Sequence, residues 1–439
     1  MRTYRRRHES DLMLRPLSRP GSESCHKEAE QRSRSISHDW TSSYPDGLRA
    51  QFDVERTAER ILRSFNLAPI LADLVQSQSR RQCVCFVFTG SGAQWFSMGR
   101  ELLAYHVFRD SLAASAALLK EMGCEWDLMD EMFFSQKPRI DEPSIFQPAC
   151  TALQVALADL LDSWNVKPSF VVGHSSGEIA AAYVKRAISR RSALKIAFAR
   201  GLVSDRMTKR GGMLAVGLGE NQVQPLVRKI QREGSYVVVG CDNSPESVTI
   251  SGDSDGLAQA QLLLEERNLF NRRVRVKNAY HTLHVDEVAD EYLDAMAGLS
   301  AGQQTGEKEG DIEMISSVTG EKVENTRLRE PSYWVSNLKD QVRFREAMNS
   351  VFNYATESSR RETCLMVTEI GPHPALETPI QQIFDHSRNR ESTHLVYTSM
   401  LSRKQNAVRT ALDTMGQCFQ LGVCPRPVSE GGQRFESFI

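Results

Sequence analysis

The sequence predicts an α/β protein, a parallel sheet joined by crossover helices, with a smaller unit inserted into it. Three observations carry that expectation. The apolar runs 83–88 and 170–172 each lead into a glycine-bearing turn and then a helix-forming stretch. Parallel strands require such crossovers, because a tight hairpin cannot join them. The second turn, Gly173-His174-Ser175-Ser176-Gly177, has the Gly-x-Ser-x-Gly pattern of a strand-to-helix corner. From Gly211 onward the periodicity becomes strand, helix, strand, strand, helix, strand, the order of a split βαβ unit.

Composition sets the outer limits. The chain has 439 residues, a formal net charge of −1 and 41% apolar residues. Near-neutrality argues against a global pull toward nucleic acid or anionic membrane. The nine cysteines are odd in number and scattered, with no paired CxxC elements, which reads as reduced, cytoplasmic usage. No apolar run is read as long enough to span a membrane, and no secretory segment follows the start. The opening arginines Arg2, Arg5, Arg6 and Arg7 leave a mitochondrial presequence as the second reading. Glu9, Asp11, Glu23, Glu28 and Glu30 argue against it, because presequences are poor in acids.

In chain order, residues 1–45 form a polar segment without apolar periodicity, expected to be disordered. Residues 46–80 read as a helical linker, with Val54, Ala58, Ile61, Leu62, Phe65, Leu71 and Leu74 at helical spacing and Pro69 as a break. Strand 83–88 runs into Thr89-Gly90-Ser91-Gly92-Ala93-Gln94-Trp95. That turn lacks the Gly-Lys-Ser/Thr of a P-loop and the third glycine of a dinucleotide loop. The reading kept is a backbone N–H donor facing a nucleophile from a neighbouring strand end.

A helix over 143–165 precedes the strand of the Gly-x-Ser-x-Gly corner. At the corner, Gly173 and Gly177 allow close strand–helix packing and Ser175 becomes the candidate nucleophile. The following helix points its N-terminal N–H groups at any oxyanion formed beside Ser175. A further helix over 193–203 carries Arg200. The inserted unit, 211–276, has strands over 213–218, 236–241, 247–252 and 270–276 and helices over 221–233 and 255–267. Val223, Leu226, Val227 and Ile230 give the first of those helices an apolar face. The order is that of ferredoxin-like units.

The chain then returns through Asn278-Ala279-Tyr280-His281-Thr282-Leu283-His284. A helix over 285–296, a polar loop over 302–311, a strand over 314–318, and the segment 333–338 leading through 342–344 into another helix follow. Strand 366–370 ends in a turn at 371–374, and a last helix falls within 402–422 before the tail 425–439. The segments 83–210 and 277–424 together form the large subdomain, expected to be α/β-hydrolase-like. From residue type alone, His281 is as readily structural as functional, His284 and His373 read as structural, and a helical arginine is more often solvated or ion-paired.

Several motifs in order carry a resemblance. They are Phe86-Val87-Phe88-Thr89-Gly90-x-Gly92-Ala93-Gln94-Trp95, Gly173-His174-Ser175-Ser176-Gly177-Glu178, Ala279-Tyr280-His281, Tyr333-Trp334-x-x-Asn337-Leu338 and Glu369-Ile370-Gly371-Pro372-His373-Pro374-Ala375-Leu376. The chain over about 83–424 resembles the malonyl-CoA:acyl-carrier-protein transacylases, in particular the acyltransferase domains of iterative, fungal-type polyketide synthases. The resemblance implies Ser175 as the acylated nucleophile and His281 as its base. It implies oxyanion donors from the backbone of Ser91 and Ser176, and Arg200 as the residue binding a substrate carboxylate. It also implies that a main-chain carbonyl orients the imidazole, and Asn337 matches that position. Malonyl-CoA would be the substrate and the phosphopantetheine of a carrier protein the acceptor, in polyketide or fatty acid biosynthesis. No bound cofactor or metal is implied, and no nucleic acid or membrane partner.

Departures from the family pattern are Ser91 in place of glutamine, Thr282-Leu283-His284-Val285 after His281, and Lys185-Arg186 after the corner helix. Tyr280 and Ser176 lean toward malonyl over methylmalonyl by resemblance. Two other readings stand beside this one: a serine esterase or thioesterase of the α/β type, and a catalytically impaired synthase fragment. No ketosynthase motif is read before the domain and no carrier-protein serine motif after it, which leaves a stand-alone enzyme or a piece of a synthase.

Overall fold

A computed structural model describes residues 80–302, 312–357 and 362–423. All lie in the second of the two units into which the chain divides, Pro69–Ile439. The expected disorder over 1–45, the linker over 46–80 apart from residue 80, most of the loop 302–311 and the tail 425–439 fall outside the described residues.

The larger sheet is parallel throughout. Strand β1 (Arg81–Phe88) pairs with β2 (Phe170–Gly173) on one side and with β8 (Thr363–Ile370) on the other. The edges are β7 (Glu313–Ile315), beside β2, and β9 (Thr393–Ser399), beside β8. The strand order is β7-β2-β1-β8-β9. Strands β1 and β8 are mostly apolar and, apart from Arg81 and Gln82, buried, as a sheet covered on both faces requires. Their carboxyl ends, Phe88, Gly173 and Ile370, lie in register side by side. The turns carrying Ser91, Ser175 and His373 therefore leave from one edge of the sheet, where open α/β sheets place their ligands.

Helix α1 (His106–Glu121) and α2 (Pro143–Ser163) follow β1, and α3 (Gly177–Val184) and α4 (Arg190–Arg206) follow β2. Helix α2 is mostly apolar and buried on nearly every face. It is long and apolar enough to cross a membrane by length and composition, which corrects the expectation that no such run exists, but 89% of the apolar window is buried inside the protein. A helix this apolar belongs in a core or a membrane, and its burial is that of a core helix. Helix α1 and strand β9 were not anticipated. β9 is a half-exposed edge strand whose apolar residues share places with Thr393, His394 and Thr398, so its signal is weak.

The inserted unit forms a second sheet with its own core. Strands β3 (Gly211–Val216), β4 (Val237–Ser244), β5 (Ser247–Asp253) and β6 (Asn271–Arg273), with helices α5 (Glu220–Arg232) and α6 (Ser254–Glu265), follow the βαββαβ order. All pairings are antiparallel and the strand order is β4-β5-β3-β6, the ferredoxin-like arrangement expected. Leu214, Val223, Leu226, Ile230, Val248, Ile250 and Leu257 pack into a cluster separate from the larger core. Strand β6 is shorter than predicted because Val274 and Val276 turn away to pack on the large core. They carry the chain back toward His281.

The return passes through a 3-10 turn (Leu283–Glu287) and α7 (Ala289–Ala295), which replace the single helix expected over 285–296. Helix α8 (Pro331–Lys339) and α9 (Phe344–Glu357) then flank Val342. There the backbone bridges to β4: Val342 N–H donates to Gly240 O (2.9 Å) and Asp242 N–H to Val342 O (2.8 Å). This short bridge ties the inserted sheet to the α8–α9 link beside the site. Helix α10 (Glu377–Asp385) and α11 (Ala407–Gln420) complete the chain.

Candidate active site

The β2–α3 corner is as tight as its glycines suggest. A Cβ on Gly173 would lie 2.0 Å from Glu178 N, and one on Gly177 would lie 2.2 Å from Phe88 O. Ser175 sits between them with φ of 52°, a left-handed conformation that a side-chain-bearing residue adopts only when its surroundings impose it. The side chain is buried and faces His281.

His281 reaches the same point from the other side. Its Nε2 lies 2.8 Å from Ser175 Oγ, and its Nδ1 lies 2.9 Å from Asp340 O. A carbonyl can only accept, so the proton sits on Nδ1. Nε2 is left bare to accept the Ser175 hydroxyl proton. The carbonyl that orients the imidazole is thus that of Asp340 and not of Asn337. Asn337 lies one helical turn earlier in α8, with its side chain turned toward Ser175. Burial holds His281 down to about 3, the Arg200 charge adds to the effect, and the bond to Asp340 opposes it. The ring is neutral, the form a proton acceptor needs.

Arg200, from α4, is 1% exposed. Its Nη2 donates to Ser175 Oγ (3.1 Å), its Nη1 donates to Asn337 Oδ1 (2.7 Å), and its Nε has no hydrogen-bond partner. No carboxylate pairs with it among the described residues. Behind it, Asn337 Nδ2 donates to Ser175 O and to Glu178 Oε2, each at 3.0 Å. Glu178 is fully buried and also accepts from Tyr333 Oη (2.7 Å), Ser317 Oγ (3.1 Å) and Ser317 N–H. Burial raises its pKa against the lowering effect of these bonds.

Ser91 and Ser176 meet across the corner, Oγ to Oγ at 3.2 Å. Gln147, buried in α2, donates to Ser91 Oγ (3.2 Å). The departure at Ser91 therefore leaves its loop anchored by the side chain itself. The backbone N–H groups of Ser91 and Ser176 donate to no acceptor among the described residues. They remain available to a developing oxyanion. On the far side, His174 Nε2 contacts Asn243 Oδ1 of β4 (2.8 Å), which brings the inserted unit against the corner. A cavity of about 310 Å³ opens beside His281, lined in part by Tyr236, Val238, Leu283, Lys339 and Gln341.

The structure thus brings Ser175, His281, Arg200, Asn337, Ser91 and Ser176 together. His284 is held elsewhere, bonded to Asp253 and stacked on Tyr236. His373 Nδ1 accepts from Arg403 N–H. Sequence reasoning gave no role in the site to Glu178, Gln147 and the Asp340 carbonyl, and read Asn243 as turn chemistry in a loop that the resemblance holds near the site. Glu178 left a signal, a lone acid inside the apolar run 177–182. Tyr333 and Asn337, four apart on α8, left another.

An unpaired buried guanidinium beside a serine–histidine pair can bind an anionic group and hold its acyl carbon next to a nucleophile. The profile of the acyl transferase domain matches residues 85–425. A reducing polyketide synthase of Gibberella moniliformis is 40% identical over 372 residues, covering 83% of this chain and 15% of that one. A highly reducing polyketide synthase of Emericella nidulans is 40% identical over 384 residues, 82% of this chain and 15% of that one. The chain therefore spans only about 15% of the length of these curated relatives. Among solved structures, the loading acyltransferase of the avermectin modular polyketide synthase superposes with a TM-score of 0.68 at 25% identity, covering 76% of this chain and 99% of that one. The acyltransferase domain of salinomycin synthase module 8 gives 0.67 at 29%, covering 77% and 75%. The malonyl CoA-acyl carrier protein transacylase of Clostridium perfringens shares the fold, with a TM-score of 0.63 at 22% identity and coverage of 78% and 99%.

Proposed function

The chain belongs to the acyl transferase domain family, and from that premise we propose that it moves a malonyl group from malonyl-CoA to the phosphopantetheine thiol of an acyl carrier protein, in polyketide biosynthesis. The observation that carries the malonyl assignment is Arg200, buried, without a carboxylate partner and 3.1 Å from Ser175 Oγ. A guanidinium so placed favours an acyl group that ends in a carboxylate, because the pair forms out of water and in two-point geometry.

The transfer follows from the dyad. Neutral His281 takes the Ser175 hydroxyl proton on Nε2 as Oγ bonds to the thioester carbonyl carbon. The carbonyl oxygen becomes an oxyanion facing the Ser91 and Ser176 N–H groups. The tetrahedral adduct collapses, the carbon–sulfur bond breaks, and the coenzyme A sulfur leaves with the proton from His281. The malonyl ester on Ser175 is then attacked by the carrier thiol, whose proton passes to His281 and back to Ser175 Oγ. The Nδ1–H bond to Asp340 O holds the ring for both proton transfers. That third partner is a neutral carbonyl, and no acid among the described residues completes a triad, which speaks against the esterase reading.

Intact-mass spectrometry of the protein after exposure to malonyl-CoA tests the proposal. A malonyl adduct is expected on the native chain and none on Ser175→Ala. Arg200→Ala is expected to lower malonyl loading by about 100-fold or more, the cost of an unpaired carboxylate in a buried site. Absence of the native adduct at high malonyl-CoA sinks the proposal.

A further inference from the structure

The charge arrangement behind Ser175 contains an unused pairing. Arg200 and Glu178 are both buried and opposite in sign, yet they do not touch. Asn337 stands between them, its carbonyl oxygen on Arg200 Nη1 (2.7 Å) and its amide nitrogen on Glu178 Oε2 (3.0 Å). The orientation of that amide is fixed by its partners, since a guanidinium only donates and the Ser175 carbonyl only accepts. We propose that Asn337 is a specificity-determining residue: by interposing a neutral amide between Glu178 and Arg200, it aims the guanidinium at Ser175 while leaving its charge unneutralised, so that the site selects acyl groups that bring their own carboxylate.

Three features support this. A carboxylate in contact with Arg200 would satisfy it, and a substrate carboxylate would then have to displace it. A neutral acceptor gives the hydrogen bond without the neutralisation. The unpartnered Nε of Arg200 shows that the side chain keeps hydrogen-bonding capacity in reserve. Glu178, in turn, is tied down by Tyr333 and Ser317, so it anchors Asn337 without reaching the guanidinium itself. A buried cation left without a counter-charge is costly, and the surrounding fold carries that cost until substrate binds.

The inference rests on the proposed role of Arg200 toward a substrate carboxylate. Its test is a change of charge at constant shape. Asn337→Asp alone would set two carboxylates side by side, and they would share a proton. Combined with Glu178→Gln it leaves one carboxylate, now against Arg200, with the contact to residue 178 kept and the bond donated to Ser175 O lost. Initial rates of Ser175 loading are measured by intact mass with malonyl-CoA and with acetyl-CoA on the full chain. In the double variant both rates are expected to fall with the lost bond to Ser175 O, and malonyl loading by about 100-fold more than acetyl loading, which removes the malonyl preference. Asn337→Ser, neutral and smaller, is expected to load more slowly but to keep the preference. Equal losses for both thioesters in the folded double variant, or a preference that collapses in Asn337→Ser as well, overturn the inference, because Asn337 then acts through shape alone. A native chain that loads acetyl as readily as malonyl overturns the reading of Arg200 itself.

Discussion

Ser175 and His281 occupy two corners with the same backbone strain and opposite means of support. Both are left-handed, with φ of 52° and 61°, and each such residue costs about 1–3 kcal/mol that its surroundings must offset. The Ser175 corner is held locally. Gly173 and Gly177, four residues apart, bring the strand end and helix start into contact, and the turn closes through Gly177 N–H to His174 O and Glu178 N–H to Ser175 O. The His281 corner is held from a distance. Its N–H donates to Leu338 O, its ring to Asp340 O, and the preceding Tyr280 carbonyl accepts from Ser251 of the inserted sheet. A nucleophile can thus be built into one βα unit. Its base needs three separate segments to converge.

The comparison is most severely tested at the local corner. Gly177→Ala places a Cβ 2.2 Å from Phe88 O and 2.7 Å from Phe88 C, both backbone atoms of the central strand. Neither can move without the sheet. A loss of about 4 kcal/mol or more is expected, at the top of the range for single substitutions, read as a shift in the urea midpoint. Gly240→Ala, beside the distant corner, meets the Ser251 Cβ at 2.8 Å and the His281 Cβ at 3.4 Å, atoms fixed to their backbones but less closely approached than Phe88 O. It should cost clearly less. Equal losses would mean that the two corners are equally rigid.

A second, smaller effect separates the corners by titration. His281 is held down to about 3 in the fold, against about 6.5 for an unperturbed imidazole. Between those values the unfolded chain binds a proton that the native site refuses. Stability from this group is complete above about pH 6.5 and is lost as pH falls toward 3. Glu369, raised by burial to about 7, works in the opposite sense, losing stability as pH rises from its unfolded value through 7. The two slopes overlap, so the measurement is a difference. The stability of the native chain minus that of His281→Gln should fall by about 1.4 kcal/mol per pH unit between pH 6 and 4. The acid limb of kcat/KM for loading, which reports the free enzyme, should lie well below 6.5. A flat difference, or a limb at 6.5, would mean that the His281 corner is solvated.

The contrast between local and distant support also explains what was legible in the sequence. The βα units, the Ser175 corner and the βαββαβ order write themselves into short windows, through apolar runs, glycines four apart and periodic faces such as Val223, Leu226, Val227 and Ile230. Arg200 was reached through the family pattern, and its burial fits that reading. The support for His281 was read at Asn337, three residues from the carbonyl that performs it, because a main-chain acceptor carries no residue signature. Asp340 O lies 59 residues from His281, and the Arg200–Asn337 bond spans 137. Gln147 enters the site in the same way, through packing of an element whose own window describes only a helix.

Ser251→Ala gives the smallest expected change and the sharpest view of the distant corner. Its hydroxyl donates to Tyr280 O at 2.5 Å, and Gly212 O lies within 3.3 Å as a second acceptor. Removing it leaves the buried Tyr280 carbonyl without that donor and should cost about 1–2 kcal/mol, the price of one such unsatisfied group. The loss of activity should be larger than that destabilisation suggests. Tyr280 O belongs to the peptide unit that sets φ of His281, so a small rotation there swings Nε2 away from Ser175 Oγ, now at 2.8 Å, and proton transfer is sensitive to displacements well below 1 Å. A loading rate reduced by about tenfold with little change in KM is the expected signature. An unchanged rate in a measurably destabilised protein would show that the Leu338 and Asp340 carbonyls alone suffice, and that the inserted sheet contributes shape to the cavity but no alignment to the base.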